Sequence, residues 1–406
     1  MKTGIANFTL DYGKCPRWLF EKMVRLARVM SIAIIEAFGP REFLRRLSDP
    51  VWFQSFGSVL AFDWNASGLT TTTLGALKVA LGGIEKELGV FVCGGKGKTS
   101  RKTPEEIQNW GNVLGLTQIV IDRLTYASRA SAKVDSALIQ DGFTLYHHNL
   151  IFASSGEWAV IQQGMNTQLL KARRYHWLGK TAADDPECNF INEPHSGIAS
   201  QLMLSKALDL TSRKSEKNRS VSIGLVHESK TLYRDLKIIS LRGGQQQLKI
   251  LDLPDYEFHS HPVEAITFTG PRLEKNIRAV LSAQPTTFEK MLMLPGIGGK
   301  TIRAVSLVAE VIYGAKPSYE DPARYTFAHG GKDGTPYPVD RTTYDKTLNV
   351  MESALRKSRL AYREKETALR QANKLFSPRY NPEIPVFSIK GKYSTVPPRG
   401  GSVLRV

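Results

Sequence analysis

The spacing of apolar residues changes along the chain, and its first part has the period of α-helices. Trp18–Phe38 and Thr70–Leu81 carry apolar residues at helical intervals, which predicts two helices. Between them, Ser48-Asp49-Pro50 has the composition of a helix N-cap followed by a first turn. Pro104–Val134 has a long helical pattern with proline at its start, and it is predicted to be helical throughout.

Shorter runs with strand character follow these helical patterns. Val90–Val92 predicts a strand that leads into a glycine-rich loop. Thr144–Phe152 and Glu157–Gln163 alternate apolar and polar residues on either side of a Ser-Ser-Gly turn, and this arrangement predicts a β-hairpin. Residues 1–210 are therefore expected to form an α+β domain of mixed helices with a β-hairpin sheet.

The pattern changes again in the second half of the chain. A polar, charge-rich stretch predicts a linker over residues 211–225. Helical patterns then return and predict an all-α domain over residues 226–380. Residues 381–406 are rich in proline and glycine and are expected to form an extended arm.

Composition limits the class of protein. The chain has 406 residues, 42% of them hydrophobic and 23% charged, which is typical of globular domains. No segment approaches the about 20 apolar residues that a membrane span needs, so a cytoplasmic protein is expected. Cys15, Cys93 and Cys188 are too far apart to form a CxxC motif, and three cysteines cannot supply the four thiolates of an iron–sulfur cluster.

The net charge indicates an anionic partner. The chain has 55 Lys and Arg residues against 38 Asp and Glu residues, a formal net charge of +17. Such an excess favours binding to polyanions. Lys96, Lys98, Arg101 and Lys102 form a basic cluster without an intervening acid, and the first three are candidate DNA contacts.

Residues 288–304 predict a phosphate-binding turn between two helices. Pro295 should end the first helix, because proline has no amide hydrogen to donate. Gly296 and Gly298 have no Cβ, so the main-chain amides of the turn and of the next helix can approach a phosphate closely. The predicted DNA contacts here are Gly296, Ile297, Gly298, Gly299, Lys300 and Thr301.

The stretch LPGIGGKT, residues 294–301, resembles the helix-hairpin-helix motif. That resemblance implies DNA contact through phosphates, little sequence preference and often a bound monovalent cation. A glycine-containing turn between two packed helices, without any ligand, is the structural alternative.

Polar residues that could carry chemistry are concentrated between residues 135 and 195. Metal-assisted hydrolysis of a phosphodiester needs oxygen and imidazole ligands for a divalent ion, together with an acid or base for the water and the leaving oxygen. His147 and His148 should point to opposite faces of their strand, so at most one should enter a common site. Glu193, His195 and His148 are the candidate ligands for Mg²⁺ or Mn²⁺. The candidate catalytic residues are Asp135, Asp141, His147, His148, Gln163, His176, Glu193 and His195.

Two further resemblances support a nuclease. The hairpin from Gly156 to Gly164, with Arg173, Arg174 and Trp177 downstream, resembles a ParB-type nuclease core, in which an arginine-bearing helix follows the hairpin. This resemblance implies that Arg173 and Arg174 contact DNA. The stretches LSDPVWFQSFGSVLAFDW, CGGKGKTSRKTPEEI, QDGFTLYHHNLIF and INEPHSGI resemble a prokaryotic, mainly archaeal and thermophilic family, domain of unknown function 763. This second resemblance implies an α/β half joined to a helix-hairpin-helix half.

The expected function is a metal-dependent nuclease that acts on double- or single-stranded DNA in repair or processing. One alternative is a DNA glycosylase/lyase, because helix-hairpin-helix glycosylases use a lysine and an aspartate that are similar in kind to Lys300 and Asp340. A second alternative is a DNA-binding protein without catalysis, whose N-terminal domain packs against partners or assembles a homo-oligomer.

Overall fold

The computed structural model describes residues 8, 10, 15–61, 66–179, 190–228, 231–236 and 271–323. Residues 231–236 are helical. The other α-helices in these ranges are α1 (Arg17–Ser48), α2 (Pro50–Ala61), α3 (Ala66–Leu81), α4 (Glu85–Leu88), α5 (Thr103–Leu114), α6 (Gln118–Ala137), α7 (Glu216–His227), α8 (Pro271–Ala283), α9 (Phe288–Met293) and α10 (Gly299–Val311). The strands are β1 (Val90–Lys96), β2 (Ile139–Gln140), β3 (Thr144–Ala153), β4 (Trp158–Asn166), β5 (Lys171–Gly179), β6 (His195–Ser200) and β7 (Leu208–Asp209).

An antiparallel sheet of five strands, in the order β1-β3-β4-β5-β6, lies between two layers of helices. The predicted hairpin is confirmed as β3 and β4, and the mixed α+β class of this part of the chain is also confirmed. β2 and β7 form a second, two-stranded antiparallel sheet. Helices α1–α3 pack on one face of the larger sheet, which we call the α3 face. Helices α5 and α6 pack on the other, the α6 face.

The junction between α1 and α2 follows the sequence prediction. The Asp49 carboxylate accepts hydrogen bonds from the backbone amides of Val51 and Trp52, at 2.8 and 3.2 Å. Asp49 therefore caps α2, and Pro50 begins it. α1 continues beyond the predicted end, because its chain kinks at Gly39, where φ is +83°, instead of stopping there.

Two predicted segments differ from the structure. The single helix predicted over Pro104–Val134 is two helices in the structure, α5 and α6. Gly115, which follows α5, has a left-handed backbone with φ +65° and ends that helix. The linker predicted over residues 211–225 is wrong, since α7 occupies most of it and packs on α10. Buried Asn218 donates to the carbonyls of Ser306 and Ala315, so the polarity that predicted a linker serves internal hydrogen bonds.

The later helices contribute to two cores. The first core lies among α7, α8, α10 and residues 231–236, and it contains Leu225, Leu232, Ile277 and Val305. α9 and the start of α10 instead join the core beneath the α6 face of the sheet. In the described ranges we find no helix that is long and apolar enough to cross a membrane. The predicted arm over residues 381–406 lies outside these ranges.

A buried arginine fixes residues 316–323 to the sheet. Arg173 on β5 is fully buried, and its guanidinium donates to Asp141 at 2.8 Å and to both oxygens of Asp321 at 2.9 and 2.7 Å. The same Asp321 carboxylate accepts the backbone amide of Leu204 at 2.6 Å. One cation therefore joins three separate parts of the chain.

Replacing Arg173 with methionine should lower the free energy of unfolding by about 3–5 kcal/mol, because it leaves two buried carboxylates without their cation. Urea denaturation measures this change. Arg17→Ala, at a side chain that is 93% exposed, is the matched control and should change stability by no more than about 0.5 kcal/mol. If Arg173→Met were as stable as the control, Arg173 would not hold these segments together.

Candidate functional site

Asp135 lies at the centre of a buried polar network on the α6 face of the sheet. α6 carries it inward, and its side chain is fully buried. Oδ1 lies 2.5 Å from Nε2 of His195, and Oδ2 accepts the indole N–H of Trp177 at 3.1 Å. The amide group of Gln162 also donates to Oδ2. Three side chains on β4, β5 and β6 therefore hold one carboxylate.

The network continues from Gln162 to α6 through His148. Gln162 Oε1 lies 2.7 Å from His148 Nδ1, and His148 Nε2 lies 2.9 Å from the Ser128 hydroxyl. Since an amide oxygen can only accept, His148 carries its proton on Nδ1 and accepts from Ser128 at Nε2. Burial lowers the pKa of His148, which agrees with this neutral ring.

His195 is the member of the network nearest the surface. It begins β6, its side chain is 7% exposed, and its ring packs against Trp177 with centroids 4.5 Å apart. No described residue forms a hydrogen bond with its Nδ1. A histidine with one nitrogen held by a buried carboxylate and the other nitrogen unused has the arrangement of a general acid or base.

Glu193 does not join His195. Its backbone has φ +47°, unusual for a residue with a side chain, and its half-exposed carboxylate lies 3.5 Å from Arg213. The two ring nitrogens of His148 are also already used. Glu193, His195 and His148 therefore do not fit a single metal site. In the part of the chain that the structure describes, no three His, Cys, Asp or Glu side chains are grouped as metal ligands.

Other predicted catalytic residues lie on the α3 face of the sheet. His147 is directly opposite Gln163 on the neighbouring strand, and Gln163 donates to the Ser67 carbonyl of α3 at 3.0 Å. The prediction that His147 and His148 face opposite ways is confirmed. Neither ring nitrogen of His147 has a hydrogen-bond partner among the described residues, and burial lowers its pKa to about 3.

Arg174 and His176 form a second buried group on that face. Arg174 donates to His176 Nε2, Thr70 Oγ1 and Gln54 Oε1 at 2.9, 3.0 and 3.1 Å. No described carboxylate pairs with it, and burial lowers its pKa to about 9. Burial also lowers the pKa of His176. His176 therefore belongs with Arg174 and not with Asp135.

The arginines correct two expectations drawn from the sequence. Arg173 and Arg174 are 0% exposed, so the prediction that they contact DNA is wrong. Both lie on strand β5, where a ParB-type core would have an arginine-bearing helix. Asp141, also predicted to be catalytic, accepts from Arg173 and from the Tyr175 hydroxyl, each at 2.8 Å, and stabilises the fold.

The predicted catalytic residue Gln163 lies outside the network, and its neighbour Gln162 belongs to it. Trp177 and Ser128 also belong to the network and are not among the predicted catalytic residues. The register of the predicted hairpin could have found Gln162. β3 and β4 pair symmetrically about their turn, which places Gln162 directly opposite His148. Trp177 and Ser128 gave no comparable signal.

The turn between α9 and α10 exposes only part of the predicted DNA surface. Pro295, Gly296 and Lys300 are exposed, and Gly296 has φ +80°. Gly298 is the N-cap of α10 and has no side chain to cap it, so the amides of Gly299 and Lys300 have no described acceptor, while that of Thr301 donates to the Gly298 carbonyl at 3.0 Å. Ile297 and Thr301 are 3% and 2% exposed and face inward, which contradicts their prediction as contacts.

The remaining predicted contacts are accessible to different degrees. Lys96, Lys98 and Arg101 are exposed at the end of β1 and on the 3₁₀ helix Gly97–Lys102. Gly298 and Gly299 are half-buried, and the carbonyl of Gly299 accepts from Gln140 on β2 at 3.0 Å.

The fold and the buried network describe a mixed α+β protein with helices on both faces of an antiparallel sheet. The chain matches the family described as "Protein of unknown function (DUF763)" over residues 4–339, and it belongs to that family. The resemblance to domain of unknown function 763 is therefore confirmed as far as membership of the family is concerned. Comparisons with curated proteins and with solved structures found no match.

The buried histidines predict loss of stability in acid. Burial lowers the pKa of His147, His148 and His176, so the unfolded chain binds protons near the ordinary value of 6.5 while the folded chain does not. Their effect on stability is absent above that pH. As the pH falls below it, each group destabilises the fold by about 1.4 kcal/mol per pH unit, until the pH reaches its folded pKa.

His147→Leu isolates one of these groups, because His147 has no hydrogen-bond partner to lose among the described residues. Between pH 6 and pH 4, the variant should lose about 1.4 kcal/mol less stability per pH unit than the parent protein. Urea denaturation at several pH values measures the slope, with exposed His227→Gln as control. An unchanged slope in His147→Leu would contradict the assignment.

Proposed function

We propose that this protein binds DNA at the turn between α9 and α10 and hydrolyses phosphodiester bonds with His195 and Asp135. The observation that carries the catalytic part is the 2.5 Å contact between Asp135 and His195. A carboxylate held by three side chains fixes the ring of a histidine that is still 7% exposed. As a whole residue His195 is half-buried, whereas His147, His148 and His176 on the same sheet are buried.

The turn supports DNA binding through its backbone and through nearby charge. The uncapped start of α10 offers amide donors, and the helix dipole favours an anion there. Lys300 is exposed in the first turn of α10, and Arg272 and Lys275 are exposed on the adjoining α8. These features, with the net charge of +17, support a helix-hairpin-helix assignment for this region. Contacts of this kind bind phosphates without reading bases.

In the proposed reaction, Nδ1 of His195 accepts a proton from the attacking water as its oxygen bonds to phosphorus, and then donates that proton to the leaving oxygen as the ester bond breaks. Asp135 holds the proton on Nε2 and stabilises the imidazolium that forms. Gln162 and Trp177 keep the carboxylate in position. Because Glu193, His195 and His148 do not converge, the proton transfers are carried by His195 and Asp135 alone in this proposal.

A lyase reaction at the turn is the second candidate. It is favoured by the exposure of Lys300, since a nucleophilic lysine must reach the sugar of an unpaired nucleotide. Its proposed partner Asp340 lies outside the described residues. Binding without catalysis is the third candidate.

Asp135→Asn should abolish most DNA cleavage, because it keeps the shape of the side chain but removes the charge that orients and stabilises His195. We expect a loss of about 10²–10⁴-fold for Asp135→Asn and for His195→Gln, with DNA affinity changed less than about twofold. Plasmid and labelled oligonucleotides are incubated with Mg²⁺, Mn²⁺ or EDTA. Glu193→Gln, a nearby acid paired with Arg213, is the control and should retain activity.

The outcomes separate the three candidates. Cleavage of undamaged DNA that survives Asp135→Asn would overturn the proposed site. Scission only at modified bases, trapped by borohydride and lost in Lys300→Ala, would favour the lyase. Binding of DNA without any cleavage would leave the non-catalytic alternative.

Lys300→Ala should weaken DNA binding and reduce its salt dependence. Loss of one phosphate contact lowers the slope of log affinity against log salt by about 0.9 for duplex DNA. Fluorescence anisotropy at several salt concentrations measures both quantities. Lys86→Ala, at an exposed lysine on α4, removes the same charge on the side of the molecule covered by α1 and should change neither. Equal slopes for all three proteins would exclude the turn as the binding surface.

A further inference from the structure

A lysine of another helix donates hydrogen bonds to two carbonyl oxygens at the end of α9. The last carbonyls of any α-helix have no intrahelical donor. Here Nζ of Lys133, on α6, lies 2.5 Å from the carbonyl oxygen of Leu292 and 2.7 Å from that of Leu294. Leu294 is the C-cap of α9 and the first residue of the turn sequence LPGIGGKT.

No acidic side chain among the described residues pairs with Lys133. Its ammonium is partly buried, and this burial lowers its pKa. A positive charge whose described partners are backbone carbonyls has the surroundings of a monovalent cation, for which carbonyl oxygens replace the hydration shell. The sequence resemblance implied such a cation at this turn.

Two further carbonyls next to these are also bound by side chains. Asn276 of α8 donates to the carbonyl of Gly296 at 2.9 Å, and Gln140 donates to that of Gly299 at 3.0 Å. Donors from α6, β2 and α8 therefore hold these carbonyls of the turn against the protein. The amides of Gly299 and Lys300, at the start of α10, have no acceptor among the described residues and are left for a ligand.

We propose that the ammonium group of Lys133 is a built-in cation of this turn, taking the place of a bound potassium or sodium ion. Lys133 is then a positioning residue, which holds the carbonyls of Leu292 and Leu294 without touching DNA. For DNA binding, the inference rests on the proposed function. For the structure of the turn, it does not.

The first test uses protein stability without DNA. Thermal unfolding is followed in potassium, sodium and tetramethylammonium chloride at equal ionic strength, since tetramethylammonium is too large and has no N–H to replace the ammonium. The midpoint of the parent protein should be the same in all three salts. Lys133→Met should lower the midpoint by about 4–8 °C in tetramethylammonium, and potassium or sodium should restore part of that loss.

Two matched variants complete this test. Lys133→Arg keeps a positive charge and should remain insensitive to the identity of the cation. Lys290→Met, at an exposed lysine of α9 bonded to Thr286, corrects for general effects of the salts. Specific stabilisation of the parent protein by potassium or sodium would overturn the proposal, and so would a Lys133→Met variant that no cation restores. If Lys133→Met does not fold, the parent protein and Lys133→Arg still decide the question.

The second test measures DNA affinity in the same salts. Parent protein should bind equally well in each at fixed ionic strength, whereas Lys133→Met should bind about tenfold more weakly in tetramethylammonium and recover in potassium or sodium. If no protein binds DNA in any salt, the proposed function fails while the stability test still decides the role of Lys133. If the parent binds DNA only with potassium or sodium, DNA binding stands and the built-in cation is wrong.

Discussion

The packing of α6 on the sheet depends on the hydrogen bonds that the buried Asp135 carboxylate accepts. A fully buried charge is tolerated only when donors surround it, and here they come from β4, β5 and β6. Because these donors lie on three different strands, α6 cannot slide or rotate without breaking at least one hydrogen bond. The same contacts that fix the helix also fix the ring of His195.

The two faces of the sheet use their buried polar residues differently. On the α6 face, the polar residues form a connected chain that ends near the surface at His195. On the α3 face, Arg174 is enclosed by neutral acceptors and by the ring of Phe53, 4.7 Å from its guanidinium carbon. The first arrangement can exchange a proton with a ligand. The second has no described route to one.

The sequence predicted the elements whose signals are local. Asp49-Pro50 begins a helix by capping chemistry, and the alternation in Thr144–Phe152 specifies a strand of a hairpin. Strand β5 was not predicted, because both of its faces are buried. Its sequence therefore lacks the alternation of apolar and polar residues that marks a strand with one exposed face. Residues 211–225 were misjudged because polarity indicates solvent only where no internal partner exists, and Asn218 has two.

Lys133 and Asp135 are two residues apart on α6 and act on opposite sides of it. Lys133 holds the turn that precedes α10, and Asp135 holds His195. In the proposed function, the position of a bound DNA strand and the orientation of the imidazole would therefore depend on one rigid helix. Since an error of about 1 Å in placing reacting groups can reduce a rate about 10²-fold, small changes in the last turns of this helix would disturb both the proposed DNA binding and the proposed hydrolysis.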